Sequence, residues 1–120
     1  MAVSMVVLAG RPPEWTVEQF TDWWRGDHAA MARRLPSLIA YRHGVVVDDY
    51  DHPDAPAWDG HAVLTFPSRA HLDAALKSQE WADAVRHTGR MKGKRLIVIT
   101  EEVDLLAQGD APGEAGAAND

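Results

Sequence analysis

Residues 20–35 read FTDWWRGDHAAMARRL, and the rest of the chain is organised around them. Wound as a helix at about 100° per residue, Phe20, Trp24, Asp27, Met31 and Leu35 fall within one arc. His28 stands at the edge of that arc, one turn after Trp24. A polar group buried without a partner costs a few kcal/mol. A helix that turns a tryptophan, a histidine and an aspartate to one side therefore implies partners elsewhere in the fold, or a cavity that the polar groups line. Trp23, offset by about 100°, is expected to pack under a loop.

The flanks give this helix its ends. Thr16 is an N-cap and Gln19, three residues on, completes a capping box, so the helix is expected from about Val17 to Arg34. Pro36 stops it, because the residue before a proline avoids helical backbone. Upstream, AVSMVVLA (residues 2–9) is a short valine-rich strand closed by Gly10-Arg11-Pro12-Pro13. Downstream, Leu38 to Val47 is a second strand. Ile39, Tyr41, His43, Val45 and Val47 share one of its faces, and Leu38, Ala40, Arg42, Gly44 and Val46 the other.

Asp48 to Gly60 is rich in Asp and Pro and reads as a long exposed loop carrying Tyr50, His52 and Trp58. His61 to Phe66 is a third strand. Ser68 caps a short helix to Lys77, and Ser78 caps another that Gly89 is expected to end. Trp81 is expected in the core, between that helix and the sheet. Lys94 to Val103 is a fourth strand. Residues 1–105 thus form one domain, and the Gly-, Ala- and Asp-rich residues 106–120 are expected to be a disordered tail.

The order β-α-β-β-α(α)-β specifies an α+β, ferredoxin-like fold: one four-stranded antiparallel sheet with helices on one face. The uncovered face then requires a partner. An apolar row of Ile39, Tyr41, Val45 and Val47 is too large a patch to leave in water, so a homodimer of packed sheets, a dimeric α/β barrel, is expected. His43 on that face would be an interface residue.

Composition bounds the function. Of the 120 residues, 46% are hydrophobic and 25% charged, the proportions of an ordinary globular domain. With a net charge of −6 and scattered basic residues that form no stripe, no nucleic-acid partner is expected. The absence of cysteine rules out thiolate chemistry and fits a reducing cytoplasm, the expected location. No apolar run reaches membrane-spanning length, so no membrane partner is expected. No zinc-type histidine spacing and no phosphate-binding glycine loop is present, so neither a metal nor a nucleotide cofactor is expected. No serine stands in a nucleophile elbow. Five tryptophans in so short a chain point to apolar pockets or interfaces as well as core.

Phe20, Trp23, Trp24, His28 and Ala29 stand at the spacing F-x-x-[YW]-W-x-x-x-H-A, and Leu35-Pro36-Ser37-Leu38 with Tyr41 continues the pattern. The chain resembles the EthD family of the dimeric α/β-barrel superfamily over about residues 3–103. That superfamily includes methylmuconolactone isomerases, cofactor-free monooxygenases and polyketide cyclases or dehydratases. The resemblance implies a pocket between sheet and helices with no cofactor. It implies that His28 and Tyr41 line that pocket and that His52 corresponds to a loop histidine of the isomerases. Leu64 stands where the isomerases carry a cysteine.

As an imidazole in apolar surroundings, His28 is the candidate general acid or base. Tyr41 is the candidate donor to a developing oxyanion. His61 and His52, on either side of the acidic loop, are further catalytic candidates, and Trp24, Phe20, Met31, Leu64 and Trp58 are candidate substrate contacts. Arg42, Arg86 and Arg90 are the arginines considered for a substrate carboxylate. The activity expected is isomerisation, dehydration or cyclisation of a small hydrophobic cyclic or aromatic molecule. The alternatives are cofactor-free monooxygenation and non-catalytic binding.

Overall fold

The computed structural model describes residues 1–108. Its sheet is built from β1 (Val3–Gly10), β2 (Ala40–Val45), β3 (Gly60–Phe66) and β4 (Lys94–Thr100). They are ordered β2-β3-β1-β4, with every pairing antiparallel. The helices are α1 (Val17–Trp23), α2 (Ala29–Ala32), α3 (Arg69–Ala75), α4 (Gln79–Met91) and a single turn α5 (Leu105–Gln108). This is the ferredoxin-like α+β arrangement expected from the element order. Residues 106–108 of the expected tail belong to α5, and residues 109–120 lie outside the described residues.

Local chemistry sets most of the element ends. The Thr16 hydroxyl accepts from the Gln19 N–H at 3.1 Å, while the Gln19 side chain accepts from the Thr16 N–H at 2.8 Å, which closes the capping box. Ser68 and Ser78 cap α3 and α4 in the same way through the N–H groups of His71 and Trp81. The end of α4 corrects the sequence reading. The helix runs through Gly89, where a side chain would meet nothing, and stops at Lys92 in the left-handed region (φ 59). Gly93 follows, and a Cβ there would lie 2.0 Å from the Gly10 carbonyl oxygen, so only glycine permits the return into β4.

A second correction concerns Val17 to Arg34. The helix is interrupted after Trp23 by a π-helical turn, Trp24–His28. An α-helix places residues five apart about 140° from each other, whereas the i→i+5 bonds of a π-turn bring them nearly one above the other. The buried stripe therefore slips by one position. Phe20 and Trp24 are followed inward by Ala29, Ala32 and Leu35, and Asp27 points to solvent.

The register sorts the sheet into two faces. Met5, Val7 and Ala9 pair with Leu64, Ala62 and Gly60, which pair in turn with Tyr41, His43 and Val45. This face packs under α1 to α4 and forms the core with Phe20, Trp24, Phe66 and Leu72. The other face carries Val6, Leu8, Val63, His61, Arg42, Leu96 and Val98, the last two 47% and 45% exposed. The sequence reading had the faces of β2 reversed. Tyr41, His43 and Val45 look toward the helices, Val47 lies beyond the strand at 96% exposure, and Ile39 precedes it at 59%.

Candidate active site

Between the sheet and the helices lies a partly open cavity of about 60 Å³. Met5, Val7, Ala62, Leu64 and Ile97 form its floor. Leu35 and Ala32 wall one side, and Trp81, Ala84 and Met91 from α4 the other. Into this apolar space project His28, Tyr41 and Thr88, with Lys94 and Arg95 contributed by β4. Such a space, mostly hydrophobic with a few converging polar groups, is the ordinary form of a small-molecule site.

Three histidines alternate with two tryptophans beside it. The His28 ring lies near-parallel to Trp24 at 4.8 Å (7°) and stacks on Trp23 at 4.7 Å (27°). Trp24 also stacks on His43 at 4.6 Å (4°), and Trp23 on His87 at 5.5 Å (11°). The π-turn makes this possible by bringing His28 over both of its tryptophan neighbours at once. Trp24 is itself fixed by its indole N–H, which donates to the Gly44 carbonyl at 3.2 Å, and by Phe20 stacked beneath it at 5.4 Å. Gly60 allows the approach, since a Cβ there would lie 2.7 Å from Trp24 Nε1.

Hydrogen bonding orients the imidazole. Thr88 Oγ1 lies 2.9 Å from the Ala84 carbonyl and donates its proton there. Toward His28 Nδ1, 3.4 Å away, it can then only accept. The proton of the neutral imidazole therefore sits on Nδ1, and the lone pair is on Nε2. Burial, with further contributions from His43, His87 and Arg95, lowers the His28 pKa from 6.5 to about 4. Near neutral pH the ring is an uncharged proton acceptor. At the neighbouring wall the Tyr41 hydroxyl and His43 Nε2 are 2.7 Å apart. Burial first, then His61, Arg25 and Arg33, lowers His43 to about 4, and burial raises Tyr41 to about 12 against the opposing effect of Arg33. Both are neutral at pH 7.

The residues singled out from the sequence divide accordingly. His28, Tyr41, Trp24 and Leu64 meet at the cavity. Phe20, fully buried, supports Trp24 from below. Trp81 lines the cavity as well as packing on the core. Trp23 packs against His28 and His87, with Trp15 of the preceding loop edge-on at 5.8 Å. Met31 faces a different hollow, shared with Asp83, Arg86, His87 and Arg90. Trp58 lies one contact away from the cavity, beneath the Lys94 ammonium at 4.6 Å.

His52 is held in the loop by Asp49, at 3.3 Å. Asp49 also accepts from the Ala57 N–H at 2.9 Å, and these bonds hold its carboxyl below the usual range. His61 projects from the opposite face of the sheet, over Gly44, so it does not meet His28. His87 and Arg95 escaped the sequence reading, Thr88 was legible in it only as part of the inward spacing Trp81, Ala84, Val85, Thr88 of its helix, and His43 was assigned to the wrong side. The helical spacing of Ala84, Thr88 and Met91 on α4, and the alternation of Arg95 with Ile97, were the available signals. Among the described residues no group of three or more His, Asp or Glu side chains is arranged to hold a metal ion.

A family model described as the EthD domain matches residues 12–90. A chalcone isomerase of Aspergillus candidus is 31% identical over 94 residues, covering 71% of this chain and 37% of that protein. The chain therefore spans little more than a third of that relative's length. An EthD-family protein from Bacillus halodurans superposes with a TM-score of 0.71 at 17% identity, covering 86% of this chain and 100% of the other. A dimeric ferredoxin-like protein from Thermobifida fusca superposes with a TM-score of 0.66 at 16% identity, covering 85% and 92%.

Proposed function

The chain belongs to the EthD family, and from that premise we propose that it is a cofactor-independent enzyme that moves a proton on a small hydrophobic cyclic or aromatic molecule. The observation that carries the reading is the neutral His28, oriented by Thr88 and flanked by Trp23 and Trp24, on the wall of the same apolar cavity as Tyr41. His28 Nε2 takes a proton from a ligand hydroxyl or from a carbon next to a carbonyl. The bond's electron pair stays on the ligand and settles on oxygen. With His43 Nε2–H donating to the Tyr41 oxygen, the phenol proton is free to bond that oxygen and stabilise its charge. The imidazolium then returns its proton: to another carbon of the enolate in an isomerisation, to a hydroxyl that leaves as water as its C–O bond breaks in a dehydration, or, after the ligand's own oxyanion has added to the far carbon of a conjugated double bond, to the enolate carbon so formed in a ring closure. The apolar walls exclude water that would otherwise compete for the proton.

The open face of the sheet supports a homodimer in which two sheets pack together. Its apolar members Val6, Leu8, Leu96 and Val98 are uncovered by α1 to α4, and the Thermobifida neighbour is described as dimeric.

Because the name of the Aspergillus relative points to chalcones, closure of 2′-hydroxychalcone and migration of the double bond in an unsaturated lactone are the first assays. Removal of a positioned general base costs about 10²–10⁴ in rate. His28→Ala is therefore expected to lose at least a hundredfold in kcat/KM, and Tyr41→Phe a smaller amount. Equal turnover by wild type and His28→Ala refutes the assignment. Binding without turnover identifies a carrier instead.

A further inference from the structure

Every charged residue on the cavity wall is a cation. Lys94 and Arg95 line it, and no aspartate or glutamate does, in a chain with eighteen acidic residues and a net charge of −6. Arg95 reaches this place by register. It stands across from Ala9, in the row that continues as Ile97 and Ile99, on the face that looks toward the helices. Apolar residues fill that row elsewhere, because an inward strand position faces the core. Ala9 is small and leaves the arginine room along the sheet.

The two cations differ in what they do. The Lys94 ammonium is engaged by the Trp58 ring. Arg95 makes no ion pair among the described residues, where Arg11, Arg69 and Arg86 each have an aspartate. His28 lies within the field of Arg95. A guanidinium beside an apolar wall, lacking a counter-ion, is a site for an incoming anion. Its planar fork matches the two oxygens of a carboxylate better than a single-oxygen anion.

We propose that the ligand is an apolar ring bearing a carboxylate. Arg95 holds the carboxylate at the mouth, and the ring lies inward against Leu64, Leu35 and Trp81. This deepens the reading of the cavity as the substrate site and rests on it. Clamping one end of the ring fixes which edge meets His28. It also places a positive charge near the enolate or phenolate that proton removal creates.

Two probes of similar shape test this, 2-naphthoate and 2-naphthalenemethanol, titrated at pH 7 while the fluorescence of the cavity tryptophans Trp24 and Trp81 is followed. Wild type is expected to bind the acid at least tenfold more tightly than the alcohol, with a gap that narrows between 50 and 500 mM NaCl. Arg95→Gln should close the gap, Arg95→Lys should keep part of it, and Arg86→Gln, on the outer side of α4, should leave it intact. Arg95 is exposed on an edge strand, and thermal unfolding checks that both substitutions preserve the fold. Equal or better binding of the alcohol by wild type overturns the proposal, as does a gap that survives Arg95→Gln. If the alcohol wins while His28→Ala still abolishes turnover, the carboxylate assignment falls alone. If neither probe binds and His28→Ala is fully active, the reading of the cavity falls with it.

Discussion

Replacing His28 by phenylalanine tests whether the imidazole is truly inside. Phenylalanine keeps a ring against Trp23 and Trp24 but cannot titrate. In the folded protein His28 takes a proton only near pH 4, because burial and three neighbouring cations or histidines oppose the charge. In the unfolded chain it does so near 6.5. Between those values unfolding binds a proton, so stability must fall as pH falls through the window from about 6.5 to 4. Above 6.5 both states are neutral and no penalty arises.

Integrated from pH 7 to pH 5, these two values give a loss of about 2 kcal/mol for this one residue, which water around the exposed edge of the ring trims toward 1. His43 titrates low for its own reasons, burial together with His61, Arg25 and Arg33, so it contributes equally in both proteins and cancels. Asp49, whose carboxyl is held below its ordinary value, changes only at lower pH and also cancels. The assay is urea unfolding of wild type and His28→Phe at pH 7, 6 and 5. The wild type should lose about 1–2 kcal/mol more than the variant over that range. Parallel pH dependence of the two proteins, within about 0.3 kcal/mol, would mean that the imidazole is solvated. The case for His28 as an inward base would then collapse.

Two further outcomes follow from the packing. Val98→Glu places a charge on the open sheet face, across from Val6 of β1, and should convert the proposed dimer to a monomer in analytical ultracentrifugation, while Val47→Glu, off the strand and 96% exposed, should not; an unchanged mass for Val98→Glu contradicts sheet-to-sheet assembly. Gly60→Ala drives a methyl group against Trp24 and Phe20 and should cost about 1–3 kcal/mol in urea unfolding, whereas Gly89→Ala, with nothing within 4 Å, should gain about 0.5–1 kcal/mol; equal effects at the two glycines would deny that Trp24 is pressed onto the sheet.

The fold was legible because its signals are local. Thr16 with Gln19, Ser68, Ser78 and Pro36 each act within one turn of chain, and each element they delimit is present. What failed required knowledge of tertiary surroundings. The alternation in β2 correctly separated Tyr41, His43 and Val45 from Arg42 and Gly44, but alternation carries no sign. Only the pairing with Leu64, Ala62 and Gly60 shows which set faces the helices. Gly89 looked like a helix end because glycine favours one, yet α4 is long enough, and packed well enough through Ala84 and Met91, to carry it. His87 was passed over, and Thr88 was given no role beyond helix packing, because neither belongs to a motif. They matter only through residues about sixty positions away.

The π-turn joins these observations. A regular helix through Trp24 would place Asp27 in the apolar stripe and leave Trp23 and His28 on different sides. That is the arrangement the residue spacing suggests, and it buries a carboxylate with no partner. Inserting the wide turn removes the cost by rotating Asp27 to solvent. The same rotation carries His28 over both tryptophans and within reach of Thr88. Helices rarely adopt this geometry without a reason, since its hydrogen bonds are poorer than those of the α-helix, and single π-turns gather at functional sites. Here the reason is visible in the chain itself. The departure from regularity both solves a burial problem and builds the side-chain constellation on which the proposed proton transfer depends.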